Sequence, residues 1–327
     1  MKGLDTNTEA ARRSKQKTKA SWFIHLGIAA LALTLSLTAR LSLAQSAGEK
    51  TFASPGDAAL ALYTAAKAQD NQTLDAIFGS HADEILHTGD PVADKKMESD
   101  FIRRYEEMRR VVIEPDHTVD LYIGADNWPF PIPIEKNAAG SWYFNTEAGE
   151  KEILYRRVGT NENDAIEILH ELVNAQMEYA SMPHDDAPAG QYAQFFLSKE
   201  GKHDGLYWKT TENENPSPIG PVLASASSEG YSAKQGDLVP FHGYYYRILT
   251  KQGPAAKGGA KDYLGNGKLT GGFAFVAYPA EYLNSGVMTF IVDKSGVVYQ
   301  KDLGDKTQEL ASTMQIYDPD KTWELVD

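Results

Sequence analysis

The chain has no cysteine among its 327 residues. That excludes disulfides, a thiol nucleophile and cysteine-ligated zinc or iron–sulfur centres. It excludes an acylated cysteine as well, and with it a lipoprotein anchor. Internal repeats at solenoid or propeller period are absent. Basic residues are in deficit: 32 Lys and Arg stand against 45 Asp and Glu, a net charge of −13. Residues 1–44 carry +5, so the rest of the chain carries −18. Such a surface repels phosphate backbones and anionic headgroups, which argues against a nucleic-acid partner. No complete catalytic motif occurs. Gly-x-Ser-x-Gly is missing. "GNGKLTGG" has Leu269 where a phosphate loop needs Ser or Thr after its lysine. His170-Glu171 opens a zinc-binding His-Glu-x-x-His pattern, but position 174 is Asn. No cofactor is implied.

What is present begins with an export signal. Arg12, Arg13, Lys15, Lys17 and Lys19 precede an apolar run from Trp22 to Ala39. Ser42 and Ala44 then supply small residues before a cut at Gln45. Basic, apolar, small is the order of a secretory signal. The expectation is a periplasmic or secreted protein, free of the membrane once residues 1–44 are removed. The alternative is an uncleaved anchor in the inner membrane, because the run approaches spanning length.

After a lead-in at 45–53, "SPGDAALALYTAAKAQDNQTLDAIFG" reads as a helical hairpin, with Ser54 as N-cap and Pro55 at the first helical position. "KKMESDFIRRYEEMRRVVIE" reads as a third helix. In "NWPFPIPIEK", Pro129, Pro131 and Pro133 alternate with Trp128, Phe130, Ile132 and Ile134. In an extended chain residues two apart share a face, so the apolar set points to the core. The prolines delete donors from one rim, leaving a strand closed to neighbours on that side, a guard against edge aggregation. A proline-rich ligand for an aromatic groove is the alternative. "SWYFNTEAG" is expected as a partner strand and "KEILYRRVG" as a strand or short helix.

From residue 159 the pattern changes. A helix capped at Thr160 carries Ile166, Leu169, Val173, Gln176, Met177 and Ala180, and Pro183 stops it. "QYAQFFLS" is expected as a short helix and "TTENENPSPIGPVLASASSEG" as irregular chain. "HGYYYRILTKQGP", "GGFAFVAYPAEY" and "GVMTFIVDKSGVVYQKDL" are strands, the last a hairpin turning at "DKSG". Half of the aromatic set Tyr244, Tyr245, Tyr246, Phe273, Phe275 and Tyr278 is expected in the core, with the other half free to form a binding stripe. These elements give an α+β protein in two parts, 54–158 and 159–327.

Candidate site residues are few. Glu84–His87 and Glu167–His170 repeat "EILH"; on helices such pairs could ligate metal, but the four-helix bundle that a di-iron site needs is not evident. Glu167, His170 and His184 are therefore weak metal candidates. His184, Asp185 and Asp186 form a polar loop cluster that reads first as a solvated turn. Arg156, Arg157 and His170 are candidate ligand-binding residues, were the seam between the parts to bring them together.

The stretches "WPFPIPIEK", "GSWYFNTEAGEKEILYRRVGTNE", "HGYYYRIL", "GGFAFVAYPAEYLNSGVMTFIVDKSGVVYQKDLG" and "YDPDKTWELV" resemble an exported bacterial family, domain-of-unknown-function family 2950. That resemblance implies no activity and transfers no catalytic residue. The second half is also similar to the globular heads of type IV pilins and pseudopilins, which implies a long helix on a small antiparallel sheet. Here more than a hundred residues separate the signal segment from Ala165, so filament assembly is not implied. By element order the first half is similar to the cone of nuclear-transport-factor-2-like proteins. The functional expectation is a non-catalytic binding or assembly module of the envelope, whose partner is an envelope protein or a small ligand. The alternative is a periplasmic hydrolase or metal-assisted enzyme using Glu167, His170 or His184.

Overall fold

A computed structural model describes residues 49–115, 118–210, 216–229, 231 and 239–326. The export signal expected at residues 1–44 lies outside the described residues. The fold is α+β, and no described helix is long and apolar enough to cross a membrane.

The first part opens with helices α1 (Pro55–Ala68) and α2 (Asn71–Phe78). Ser54 caps α1 by accepting from Asp57 N at 3.1 Å, and Asp70 caps α2 by accepting from Thr73 N at 3.1 Å. A short α3 (Ala82–Leu86) ends at His87, so the first "EILH" copy closes a five-residue helix. Helix α4 (Pro91–Glu107) starts on Asp90. Strands β1 (Arg109–Ile113), β2 (Val119–Ile123), β3 (Trp128–Pro129), β4 (Ile134–Lys136) and β5 (Trp142–Phe144) form one antiparallel sheet in the order β1-β2-β4-β5, with β3 also on β2. Leu62, Ile77, Phe78, Ile132, Ile134 and Phe144 are buried between helices and sheet.

The proline ribbon shows how a donor-free rim is used. Its even-numbered side faces β2, where Phe130 N donates to Leu121 O at 2.8 Å. Ile132 and Ile134 are fully buried, Trp128 and Phe130 half-buried. The rim with the imino nitrogens meets no strand until β5 pairs from Ile134 onward. A helix lies along it, with Pro129 exposed and Pro131 and Pro133 half-buried. Two rim carbonyls accept from that helix and its cap, Pro129 O from Arg156 (3.3 Å) and Pro133 O from Asn145 N (2.9 Å). At Gly149 of the helix, a Cβ would come within 2.7 Å of Ile132 Cα. The prolines therefore leave an acceptor-only strip on which a helix can lie without facing unpaired N–H groups.

That helix, α5, runs unbroken from Thr146 to Ala180. Its 35 residues span about 52 Å. The strand or short helix expected at 151–159 and the cap expected at Thr160 are both replaced by helix interior. Asn145 is the cap, accepting from Ala148 N at 3.1 Å. Tyr155, which an alternating pattern would half-bury, is 79% exposed. A helix-interior glycine costs only about 1 kcal/mol, so Gly159 is tolerated where both ends are packed. Gly149 and Ile153 pack on the first part, whereas Ala165, Leu169, Leu172, Val173 and Gln176 lie in the second.

In the second part, β6 (Phe195–Leu197) and β7 (Gly205–Tyr207) make a small parallel pair. "QYAQFFLS" thus holds a strand, not a helix: Gln176 of α5 fixes the backbone before it, bonding Ala193 N and Ala193 O at 2.9 Å each. Within the stretch expected to be irregular, Gly220–Glu229 forms helix α6. Strands β8 (Tyr244–Leu249), β9 (Ala274–Pro279), β10 (Met288–Asp293), β11 (Val298–Asp302) and β12 (Glu324–Leu325) build an antiparallel sheet in the order β12-β11-β10-β9-β8. Helix α5 covers one face, against Tyr244, Phe273, Phe275 and Phe290. Helix α7 (Thr307–Thr313) and the glycine-rich chain between β8 and β9, through Ala256, Tyr263 and Leu269, cover the other, over Leu249, Val276, Tyr278 and Ile291. With both faces covered, the aromatic residues of β8 and β9 form no exposed stripe.

Candidate functional site

Two clusters concentrate polar chemistry, and their geometry separates structural from binding roles. The first lies at the seam between the parts. Asp90 is fully buried, and its carboxylate accepts four hydrogen bonds. Oδ1 takes Val92 N (3.0 Å) and Ala93 N (3.1 Å), capping α4. Oδ2 takes Tyr231 OH (2.8 Å) and Gly243 N (3.1 Å) from the second part. His242 and Gly243 form a two-residue turn with φ of +51° and +74°, closed by Phe241 and Tyr244. Both positive φ values mark the turn type that best fits a hairpin's twist. His242 Nδ1 meets Asp164 at 2.7 Å and its Nε2 meets Glu229 at 3.3 Å, while Lys96 of α4 pairs with Glu229 at 3.3 Å. The hydrogen bond to Asp164 raises the His242 pKa above its ordinary value. With both ring nitrogens engaged and every Asp90 oxygen satisfied, this cluster joins the parts.

Of the two arginines expected from the sequence, Arg157 belongs to the same seam. Arg157 donates to Glu84 O (3.0 Å) and Ile85 O (2.9 Å) at the end of α3, and to Asn284 of the second part. Burial lowers its pKa, although Asp94 and Glu281 oppose the shift. Arg156 instead pairs with Glu152 at 2.7 Å and lies over Trp128. His170 sits thirteen residues beyond Arg157 on the same helix, about 20 Å along its axis. The structure thus brings Arg157 to the seam but separates His170 from it. Glu167 and His170 both lie on the exposed face of α5, and His184 lies beyond its end. Among the described residues no three His, Asp or Glu side chains are gathered in a way that could hold a metal ion.

The second cluster surrounds a cleft of about 530 Å³ at the C-terminal end of α5. Its walls come from Glu178 and Tyr179, from Met182, Pro183, His184 and Asp185, from His203 and Trp208, and from Pro216 and Pro218. The "HDD" loop is a tight turn: His184 and Ala187 exchange both backbone bonds, and Asp185 has a φ of +44°. That turn places Asp185 to accept from His203 N (2.6 Å) and to pair with His203 Nδ1 (2.8 Å). Tyr179 OH donates to His203 O at 2.6 Å. His184 stacks on Tyr179, with ring centroids 4.1 Å apart, and its Nε2 lies 2.9 Å from Tyr179 O. Trp208 is met by His184 at 5.4 Å and edge-on by His203 at 4.8 Å.

These partners fix both imidazole tautomers. A backbone carbonyl only accepts, so His184 carries its proton on Nε2 and keeps Nδ1 as an acceptor. Burial holds the His184 pKa below its ordinary value, which favours the neutral ring. The hydrogen bond from His203 holds Asp185 below the usual carboxylate range, so Asp185 accepts and His203 carries its proton on Nδ1. Its Nε2 remains as the acceptor. Burial pushes the Tyr179 hydroxyl up to about 12, keeping it protonated as a donor to His203 O.

Of the cleft residues, sequence reasoning reached His184 and the Asp185 turn but missed Tyr179, His203 and Trp208. Tyr179 follows the α5 stripe and reads as core, and the others lie in polar loop sequence without periodicity. His242 did have a local signal, since "HG" between apolar runs can make a two-residue turn.

No curated protein and no solved structure matches the chain, so the likeness of its second half to pilin heads has no support beyond element order. One family profile matches residues 49–326, nearly all of the described chain, and the protein belongs to that family, described as Protein of unknown function (DUF2950).

Proposed function

We propose that the protein is an exported envelope component that binds a small ligand or a peptide side chain in the cleft between His184 and Trp208, without chemistry of its own. The observation that carries this reading is the pair of imidazoles lining the cleft. Each has one nitrogen held by a structural partner and the other left as an acceptor. Such pre-set polar groups beside aromatic walls are the usual build of a ligand pocket. Aromatic and histidine rings pack around the cleft in ring-to-ring contact, so little reorganisation opposes binding.

The Asp185–His203 pair favours a second reading, an enzyme in which a carboxylate orients a general base. Among the described residues no Ser or Thr lines the cleft, and the hydroxyl that does, on Tyr179, is engaged with His203 O. Binding is therefore the better supported role.

Ligand-observed NMR against a panel of sugars, amino acids, dicarboxylates and amines tests the reading, with His184→Ala and Trp208→Phe as controls. Binding that either variant removes is the expected result. No binding at millimolar concentration by any class, with the protein folded, overturns it. Export has its own test. Expressed with its full N-terminus in a Gram-negative host, the protein is expected in the periplasmic fraction with a mass beginning at Gln45. Retention in the membrane with residues 1–44 attached overturns cleavage.

A further inference from the structure

The polar atoms of the cleft share a bias that narrows the ligand. Glu178 and Asp185 contribute carboxylates, which only accept. His184 and His203 contribute Nδ1 and Nε2 respectively, both acceptors in the tautomers fixed by Tyr179 O and Asp185. The Tyr179 hydroxyl has its proton engaged. Pro183, Pro216 and Pro218 have no backbone N–H, and those of His184 and His203 donate to Ala187 O and Asp185. Among the described residues no Lys or Arg lines the walls. Beside one remaining side-chain donor, the Trp208 indole N–H, what is left is a set of acceptors next to the Trp208 ring, which also attracts cations. A ligand that fits must donate, and a positive donor satisfies carboxylates, imidazole lone pairs and rings together.

We propose that this cleft takes a cationic nitrogen donor, a protonated amine or a guanidinium, held between carboxylate and imidazole acceptors and aromatic rings. The inference rests on the reading of the cleft as a binding site and gives that site its ligand class. The chain's charge of −13 acts in the same direction, drawing cations to the surface. The group can come from a free diamine or from a lysine or arginine side chain.

The geometry also sets a pH dependence. When His184 takes up a second proton, an acceptor becomes a charged donor that repels the ligand. The groups around the two imidazoles are Asp185, Glu178 and Tyr179, with Lys202 beside Asp185 and Asp204 near Tyr179. Burial keeps His184 neutral to lower pH than an exposed histidine, so binding persists at neutrality and fades in acid.

Isothermal titration in low salt tests the proposal with four probes: cadaverine, acetyl-Gly-Lys-Gly amide, neutral 1,5-pentanediol and the anion glutarate. Cadaverine or the lysine peptide is expected to bind, and the stronger of the two names the source; the diol and glutarate are not expected to bind. Glu178→Gln changes an exposed side chain and is expected to weaken cation binding about tenfold, the scale of one charged hydrogen bond. Lowering the pH from 7.5 to 5 is expected to weaken it, through protonation of His184. Equal affinity for diol and cadaverine, preference for glutarate, or cation binding indifferent to Glu178→Gln, Asp185→Asn and pH overturns the proposal while leaving the cleft a binding site. Silence from all four probes and from the wider panel overturns the reading of the cleft itself.

Discussion

Replacing Asp90 with alanine should cost the protein a large part of its stability, and the size can be worked from the four bonds the carboxylate accepts. Loss of the N-cap of α4 costs about 1 kcal/mol. The Gly243 N–H and the Tyr231 hydroxyl lose their acceptor in a place where Asp90 itself is fully shielded from water. A buried donor left without an acceptor costs about 1–3 kcal/mol. Together these give about 3–7 kcal/mol for Asp90→Ala. Asp90→Asn keeps an oxygen for the cap but turns an amide N–H toward the Gly243 N–H, for about 2 kcal/mol. Tyr231→Phe removes the bond to the carboxylate and the acceptor of the His242 N–H (3.3 Å) but leaves Gly243 satisfied, for about 1–3 kcal/mol. Because Asp90 and Tyr231 share that bond, the double variant should fall short of the sum by about 1 kcal/mol. Urea denaturation followed by tryptophan fluorescence measures all four proteins, the effect read from midpoints at constant slope. Asp90→Ala within 1 kcal/mol of the parent, or strict additivity with Tyr231→Phe, would refute the account of the seam.

Stability should fall as pH rises from about 5 to 8. Burial pushes the Glu49 carboxyl from its ordinary 4.5 up to about 7, and the hydrogen bond to Asp164 raises His242 above 6.5. The native state then holds more protons than the unfolded chain, so Glu49's contribution is lost from pH 4.5 through 7. The His242 contribution, set among Asp164, Glu229, Lys96 and Tyr231, is complete below 6.5 and lost as pH rises through its folded value. Melting temperatures from pH 4.5 to 9 check this: Glu49→Gln should be more stable than the parent at pH 8 and not at 4.5, and a parent profile rising over that range contradicts it. Gly149→Ala should destabilise by about 1–3 kcal/mol through overpacking against Ile132, despite alanine's better helix propensity. A stabilised variant in the same urea assay would show that α5 does not rest on the proline ribbon as described.

The sequence by itself determined the elements whose signal is local. Ser54, Pro55 and Asp70 mark the first two helices because a cap is satisfied within three residues of itself. Alternation set the inward face of Ile132 and Ile134, and "DKSG" set the hairpin between Val292 and Val298. The absence of cysteine and of complete catalytic motifs also narrowed function without any coordinates. What tertiary structure alone decided was how distant segments use one another. Residues 151–159 suggest either a strand or a short helix, and they are the interior of one long helix because one side packs on the proline ribbon and the chain beyond packs on the second sheet. The proline rim looked like a guard against neighbours and is the strip that receives α5. The cleft joins residues 178 to 218, and the tautomers of its histidines depend on a carbonyl and a carboxylate that no spacing pattern relates to them. Local bonds can be read along the chain because both partners lie within a few residues. A site assembled from loops acquires its chemistry only when packing brings those loops together.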